Sequence, residues 1–223
     1  MGSTRSRVVT CVAAVTLVTS VAITSGSTAH AATADCGNGC VEPYSQQYGS
    51  TAIVGVDSGT VQPGLGLGLY GASPSSSEDF EVSDFGPVSG FYQDGLVGPV
   101  VGQTWPTDQT YEYSYAPDGV QSGFCLGLAE TASTGEGVTL QPCGVSADTV
   151  WIALAADESD GYQPMINATD TVADAPYVLT AVKNKFVLRG SAIIDLEVDP
   201  LSLVGGALNP AQMWTNDVGV VGG

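Results

Sequence analysis

Gly123-Phe-Cys-Leu-Gly-Leu-Ala-Glu130, a polar turn, Gly137-Val-Thr-Leu-Gln-Pro-Cys143 and then Asp148-Thr-Val-Trp151 form the stretch on which the fold turns. Two short apolar segments flank a turn, which is the pattern of a β-hairpin. A cysteine stands near each end. A tryptophan follows the second cysteine after a short polar link.

The same texture runs through the rest of the chain. Short runs rich in Val, Ile, Leu, Tyr and Thr alternate with Gly, Pro, Asp and Ser clusters. They are Ala52–Val56, Gly66–Tyr70, Tyr111–Tyr115, Val138–Gln141, Val150–Ala153 and Tyr177–Val182. No segment carries helical periodicity. Many short strands with regular turn signals predict an all-β sandwich or barrel.

Internal repeats narrow that choice. Val61-Gln-Pro-Gly-Leu-Gly-Leu-Gly-Leu69 lies over Val120-Gln-Ser-Gly-Phe-Cys-Leu-Gly-Leu128 without a gap, and Ala175-Pro-Tyr-Val-Leu-Thr-Ala181 is a weaker copy. On this alignment Leu67, Leu126 and Leu179 are equivalent. Each tryptophan closes one unit: Gln103-Thr-Trp105, Thr149-Val-Trp151 and Gln212-Met-Trp214. A single unit has open strand edges and an apolar face. Three units closed around a pseudo-threefold axis pair the edges and pool the apolar side chains. Trp105, Trp151 and Trp214 are then core or rim residues rather than ligand-stacking ones.

The N-terminus has the order of a secretory signal peptide over 1–31: Arg5 and Arg7, an apolar run from Val8 to Ile23, and the small-x-small site Ala29-His30-Ala31. The run is too short and too rich in Thr and Ser for a membrane span. An exported protein is expected, with about 190 mature residues, enough for one core. The full chain carries a net charge of −18. After removal of 1–31, Lys183, Lys185 and Arg189 stand against 23 acids, a net charge of −20. Phosphate backbones and anionic lipid surfaces are repelled, so neither nucleic acid nor a membrane is expected as a partner.

His30 leaves with the signal, and the mature chain has no histidine. Ser-His-Asp and Cys-His catalysis and His-ligated metal sites are thereby excluded. Cys36, Cys40, Cys125 and Cys143 remain. An even number in an exported chain reads as two disulfides, with three possible pairings. Proximity in sequence favours Cys36–Cys40 and Cys125–Cys143.

The repeats resemble the ricin-type β-trefoil lectin domain. That family's unit has a Cys-Leu-Asp start, a Val-Gln-Leu-Trp-x-Cys middle and a Gln-x-Trp end. Here the second unit reads Cys125-Leu126-Gly127, Val138-Thr-Leu-Gln-Pro-Cys143 and Thr149-Val-Trp151. The resemblance implies a β-trefoil over 51–218, in repeats of about 51–105, 106–151 and 152–218, after an arm over 32–50. It also implies a Cys125–Cys143 disulfide inside unit two. The family's sugar-binding aspartate is Gly68, Gly127 or Thr180 here. Its stacking aromatic is Gln141 in unit two, the partner Gln is Thr139, and the polar residue before the closing motif is Asp148. Thr139, Gln141 and Asp148 are therefore the candidate carbohydrate-binding residues, in pockets that have lost most of the family's groups.

Other chemistry is weaker. Glu78-Asp79-Phe-Glu81, Asp157-Glu158-Ser-Asp160 and Asp195-Leu-Glu197-Val-Asp199 hold carboxylates, but spacing alone does not make a glycosidase pair. Asp195–Asp199 fits an edge strand with one charged face. Asp157–Gly161 lacks the full ligand alternation of a calcium loop. Asn167-Ala-Thr169 has the form of a glycosylation sequon. Tyr111–Tyr115 and Phe91-Tyr92 read as core or hairpin aromatics. The sequence therefore predicts a secreted, non-catalytic, lectin-like carbohydrate-binding protein with no cofactor and no metal. The alternative is a β-trefoil scaffold that contacts or inhibits an extracellular protein without binding sugar.

Overall fold

The computed structural model describes residues 40–57, 59–73, 76–155, 161–183 and 194–218. Among them, twelve strands form one continuous sheet. In chain order these are β1 (Cys40–Ser45), β2 (Ala52–Val56), β3 (Leu67–Gly71), β4 (Phe80–Pro87), β5 (Gln109–Tyr115), β6 (Phe124–Leu128), β7 (Glu136–Pro142), β8 (Val150–Ala153), β9 (Met165–Asn167), β10 (Tyr177–Lys183), β11 (Ile194–Pro200) and, after a small hairpin, β14 (Trp214–Val218). The hairpin is β12 (Leu203–Val204) with β13 (Ala207–Leu208), which pair only with each other.

Six strands close into a barrel. β1 pairs with β14 and β4, β4 with β5, β5 with β8, and β8 with β9. The ring is completed by a single bridge, Gln163 with Trp214, ahead of β9 and at the start of β14. Closure pairs the strand edges of the ring except at the β9–β14 seam, where this bridge is the one pairing among the described residues. The other six strands form three hairpins, β2–β3, β6–β7 and β10–β11. They meet one another over one end of the barrel: β11 pairs with β3 and with β7, and Gly66 bridges to Thr139.

The register makes the threefold relation explicit. Ile53, Cys125 and Val178 each pair back onto the preceding barrel strand, at Tyr44, Ser114 and Ile166. Across the hairpins, Val54 faces Leu69, Leu126 faces Leu140, and Leu179 faces Val198. All six of these residues are buried. Each unit ends in a 3-10 turn, Ser76–Glu78, Ala147–Thr149 or Pro210–Gln212, two residues before a large aromatic. Those aromatics are Phe80, Trp151 and Trp214, all within one core. Trp151 Nε1 donates to Leu126 O at 2.9 Å, and Trp214 Nε1 donates to Leu179 O at 2.7 Å.

These observations correct the repeat assignment in three places. The closing motif of unit one is Glu78-Asp79-Phe80, not Gln103-Thr-Trp105. Trp105 caps α2, in an insertion built from α1 (Val88–Gln93) and α2 (Pro99–Thr104). Gln103-Thr-Trp105 imitates the closing motif, while the true one carries Glu for Gln and Phe for Trp. Second, the hairpin of unit one opens on Ala52–Val56, so Leu67 lies on the return strand, equivalent to Val138 rather than to Leu126. Both strands of a hairpin share a period of two, so a Gly/Leu alternation matches either one. Third, the fold begins inside the stretch assigned to the arm, because β1 is a barrel strand; the units run 40–87, 109–153 and 165–218.

The two helices, which the strand pattern did not foreshadow, cover the outside of β8 and β9. Val88, Phe91, Val97 and Val101 pack there against Val150, Ile152 and Ile166. This explains why Val150–Ala153 is apolar at every position: Trp151 faces the barrel core and its neighbours face the helices. Gly98 permits the close fit, since its N–H reaches Ala168 O at 2.8 Å and an added Cβ would lie 3.0 Å from that oxygen. Among the described residues, no helix is long and apolar enough to cross a membrane.

Cys125 and Cys143 are disulfide-bonded, joining the two strands of the β6–β7 hairpin, as expected. Cys40 is disulfide-bonded as well. The proposed signal peptide with His30, the rest of the arm with Cys36, and the Asp157-Glu158-Ser-Asp160 cluster lie outside the described residues.

Candidate functional site

Each unit has the same potential pocket, between the first hairpin strand and the 3-10 turn. Its floor is the position of the aspartate in the resemblance: Gly55, Gly127 and Thr180, so Gly55 replaces Gly68 in that role. Its wall is Tyr70, Gln141 or Asp199, the residue one place along the return strand from Leu69, Leu140 or Val198. Its back is Glu78, Thr149 or Gln212, from the turn.

In unit one the pocket is filled from within. A Cβ added to Gly55 would meet the Tyr70 ring at 2.8 Å and Glu78 Cγ at 3.3 Å. Tyr70 occupies the stacking-aromatic position, which the shifted alignment missed. Its ring lies over the glycine, and burial, with Asp57 and Asp195 nearby, pushes its hydroxyl up to about 12. Glu78 is buried and accepts hydrogen bonds from Ser73 N and Oγ, both at 3.0 Å. Desolvation, the largest influence, raises its pKa against those two bonds. The Glu78 carboxylate is therefore part of the scaffold.

Unit two, where Thr139, Gln141 and Asp148 were expected to bind sugar, is filled in the same way. The structure brings the region together: a Cβ on Gly127 would touch Thr149 Cγ2 at 2.9 Å, Asp148 O at 3.0 Å and Gln141 Cβ at 3.3 Å. Gln141 Nε2 donates to Thr139 Oγ1 at 2.9 Å. Ser146 Oγ donates to the Asp148 carboxylate. Thr149 Oγ1 and Gly144 N donate to the buried Glu112 carboxylate. The three side chains hold their own unit together. The sequon is absorbed here too. Asn167 is fully buried, its Nδ2 donating to Asp148 O and its Oδ1 accepting from Thr169, so it offers no attachment point for a glycan in the folded chain.

Unit three is different. A groove of about 470 Å³ lies where the other units are filled, with Thr180 in its floor and Asp199 in its wall. Gln212 at the back is buried and fully engaged. Its Oε1 accepts from Ser202 N and Oγ, both at 2.9 Å, and its Nε2 donates to Pro200 O at 3.1 Å and Thr180 Oγ1 at 3.2 Å. Ser202 thus does for Gln212 what Ser73 does for Glu78. Asn209 is engaged as well, bonding Ser202 Oγ and the Ala211 N–H. Asp199, Lys183, Gln47 and Tyr48 also line the groove, with Gln47 Nε2 donating to the Tyr48 hydroxyl at 3.2 Å. By register, Asp199 sits at the base of the β10–β11 hairpin and Lys183 at its far end. Gln47 and Tyr48 come from the turn after β1, which was not expected to touch the fold. No pattern in unit three alone marked the groove, because its walls come from both ends of the chain.

No protein-family model matches the sequence, and no curated protein matches it either. Solved structures do match. The designed threefold-symmetric protein ThreeFoil, itself a β-trefoil, aligns over 80% of this chain and 98% of its own, at 17% identity and a TM-score of 0.52. This chain is a β-trefoil. A mosquitocidal holotoxin aligns over 82% of this chain at 11% identity and a TM-score of 0.50. The β-trefoil described here spans 17% of that toxin's length. At such identities the likeness concerns the fold alone.

Proposed function

We propose that this β-trefoil is a secreted, non-catalytic carbohydrate-binding protein, and that its site is the third-unit groove. The observation that carries the reading is the open groove at Thr180 and Asp199, at the position that side chains fill in units one and two. A saccharide needs acceptors and donors fanned around its hydroxyls and an aromatic face for the apolar side of its ring. Asp199 supplies a charged acceptor, Lys183 and Gln47 supply donors, and Tyr48 supplies the ring. Secretion is supported by the order of residues 1–31 and by disulfide-bonded cysteines.

Glycan-array and insoluble-polysaccharide binding, competed by free sugar, tests the reading. Asp199→Ala should weaken binding roughly tenfold to a hundredfold, since a hydrogen bond to a charged group is lost. Gln141→Ala should leave it unchanged. Silence of the folded protein across a broad panel would overturn the proposal. A second reading, protein contact without sugar, is favoured by the β12–β13 hairpin beside the groove. Leu203 and Val204 are exposed there, on a turn fixed by Gly205 and Gly206 at positive φ. Capture of a proteinaceous partner that Leu203→Ser abolishes, with no glycan bound, would favour it.

A further inference from the structure

The barrel end away from the hairpins holds a second concavity, unrelated to the groove. Ring closure between β9 and β14 consists of one bridge at Gln163 and Trp214, with both N–H···O bonds at 2.9 Å. Beyond it, β14 continues against β1 but, among the described residues, has no ladder on the β9 side. A cavity of about 240 Å³ opens at this seam. Tyr111, Tyr113, Trp214 and Met165 give it an aromatic and thioether lining. The two tyrosine rings are stacked, with centroids 6.0 Å apart.

Gln163, Thr215 and Asn216 add polar groups to the lining. Asn216 Nδ2 donates to the Tyr113 hydroxyl at 3.1 Å. That hydroxyl is buried and lacks an acceptor for its own proton among the described residues. Burial raises its pKa further, so it stays a neutral donor at physiological pH. Among the described residues, no charged side chain lines the cavity.

We propose that this barrel mouth binds a small, neutral aromatic molecule bearing one hydrogen-bonding group, of phenol or indole size. An apolar cavity of about 150 Å³ accommodates benzene, so this one has room for a substituted ring. It lies below the range of about 300–1,000 Å³ that takes drug-sized ligands. A carboxylate on the ring is rejected, because it would be desolvated with no cationic partner among the described lining residues, inside a chain of net charge −18.

The chain has three methionines, Met1, Met165 and Met213, so the Met165 methyl resonance is a clean reporter. Titration of the folded protein with p-cresol should shift it saturably, and 4-hydroxybenzoate should not. Toluene should bind about threefold to tenfold more weakly than p-cresol, the value of one neutral hydrogen bond, and Tyr113→Phe should erase that difference. Ala153→Leu, which fills the mouth, should abolish the shift. Asp199→Ala in the groove should leave it intact, which separates this site from the carbohydrate proposal. An unsaturable or absent Met165 response to millimolar p-cresol, or an equal response to 4-hydroxybenzoate, overturns the inference. The wild-type titrations decide it even if Ala153→Leu does not fold.

Discussion

Replacing Gln212 probes the strut that holds the third unit open. Its amide makes four hydrogen bonds from a site that is 1% exposed. A neutral hydrogen bond contributes about 0.5–1.5 kcal/mol net. The bottom of that range, about 0.5–0.75 kcal/mol per bond, applies, because the partners are not all stranded. Thr180 Oγ1 keeps its bond to Val178 O, and half-buried Ser202 and Pro200 can turn to water. The bonds then amount to about 2–3 kcal/mol, and truncation to Ala adds about 1 kcal/mol of lost apolar burial. Gln212→Ala should therefore cost about 3–4 kcal/mol, a large share of the about 5–15 kcal/mol typical of a domain. With a urea m-value of about 2 kcal/mol/M, the midpoint should fall by roughly 1.5–2 M at unchanged m. Gln212→Met keeps the volume and loses the bonds, and should cost about 2–3 kcal/mol. If Gln212→Met unfolds within about 0.5 kcal/mol of wild type, the strut argument is wrong.

Glu78 and Asp170 are both buried, and desolvation raises both carboxyls above their ordinary values despite the bonds they accept. The folded chain therefore takes up these protons before the unfolded chain does. Stability should rise as pH falls from neutral through the raised folded values, and the gain is complete below the unfolded values. Melting curves from pH 8 to 4 should show the rise, and Glu78→Gln should flatten part of it; a stability that only falls on acidification contradicts this. Trp151→Ala should cost about 3–5 kcal/mol by denaturant unfolding, and Trp105→Ala less than half of that, because Trp105 is half-buried outside the repeat core. Equal costs would undo the repeat assignment. The double variant Cys125→Ser, Cys143→Ser should lose about 3 kcal/mol, appropriate to its short loop, and a smaller loss would mean the β6–β7 hairpin is held by its ladder alone.

The amino-acid sequence by itself determined the all-β class, most strand positions and two of the three closing motifs, and it favoured the Cys125–Cys143 pair that the structure shows. These are local properties. A period of two, a turn residue and a cysteine at each end of a hairpin are written in consecutive residues. The alternation of Asp195–Asp199 was also readable, with Leu196 and Val198 buried and the acids outward. Alternation alone reads as an edge strand, whereas β11 lies at the centre of the hairpin cap. Only the tertiary structure decided which strands face which. It showed that Phe80, not Trp105, is the partner of Trp151 and Trp214, and that Tyr70 and Gln141 fill their own pockets. It also showed that the open groove takes Tyr48 from the start of the barrel and Asp199 from its last third. The physical reason is that a pocket is a volume left over after side chains from distant segments have packed. Whether Gly55 leaves a hole or a seat for Tyr70 depends on a neighbour fifteen residues away, and no local pattern records it.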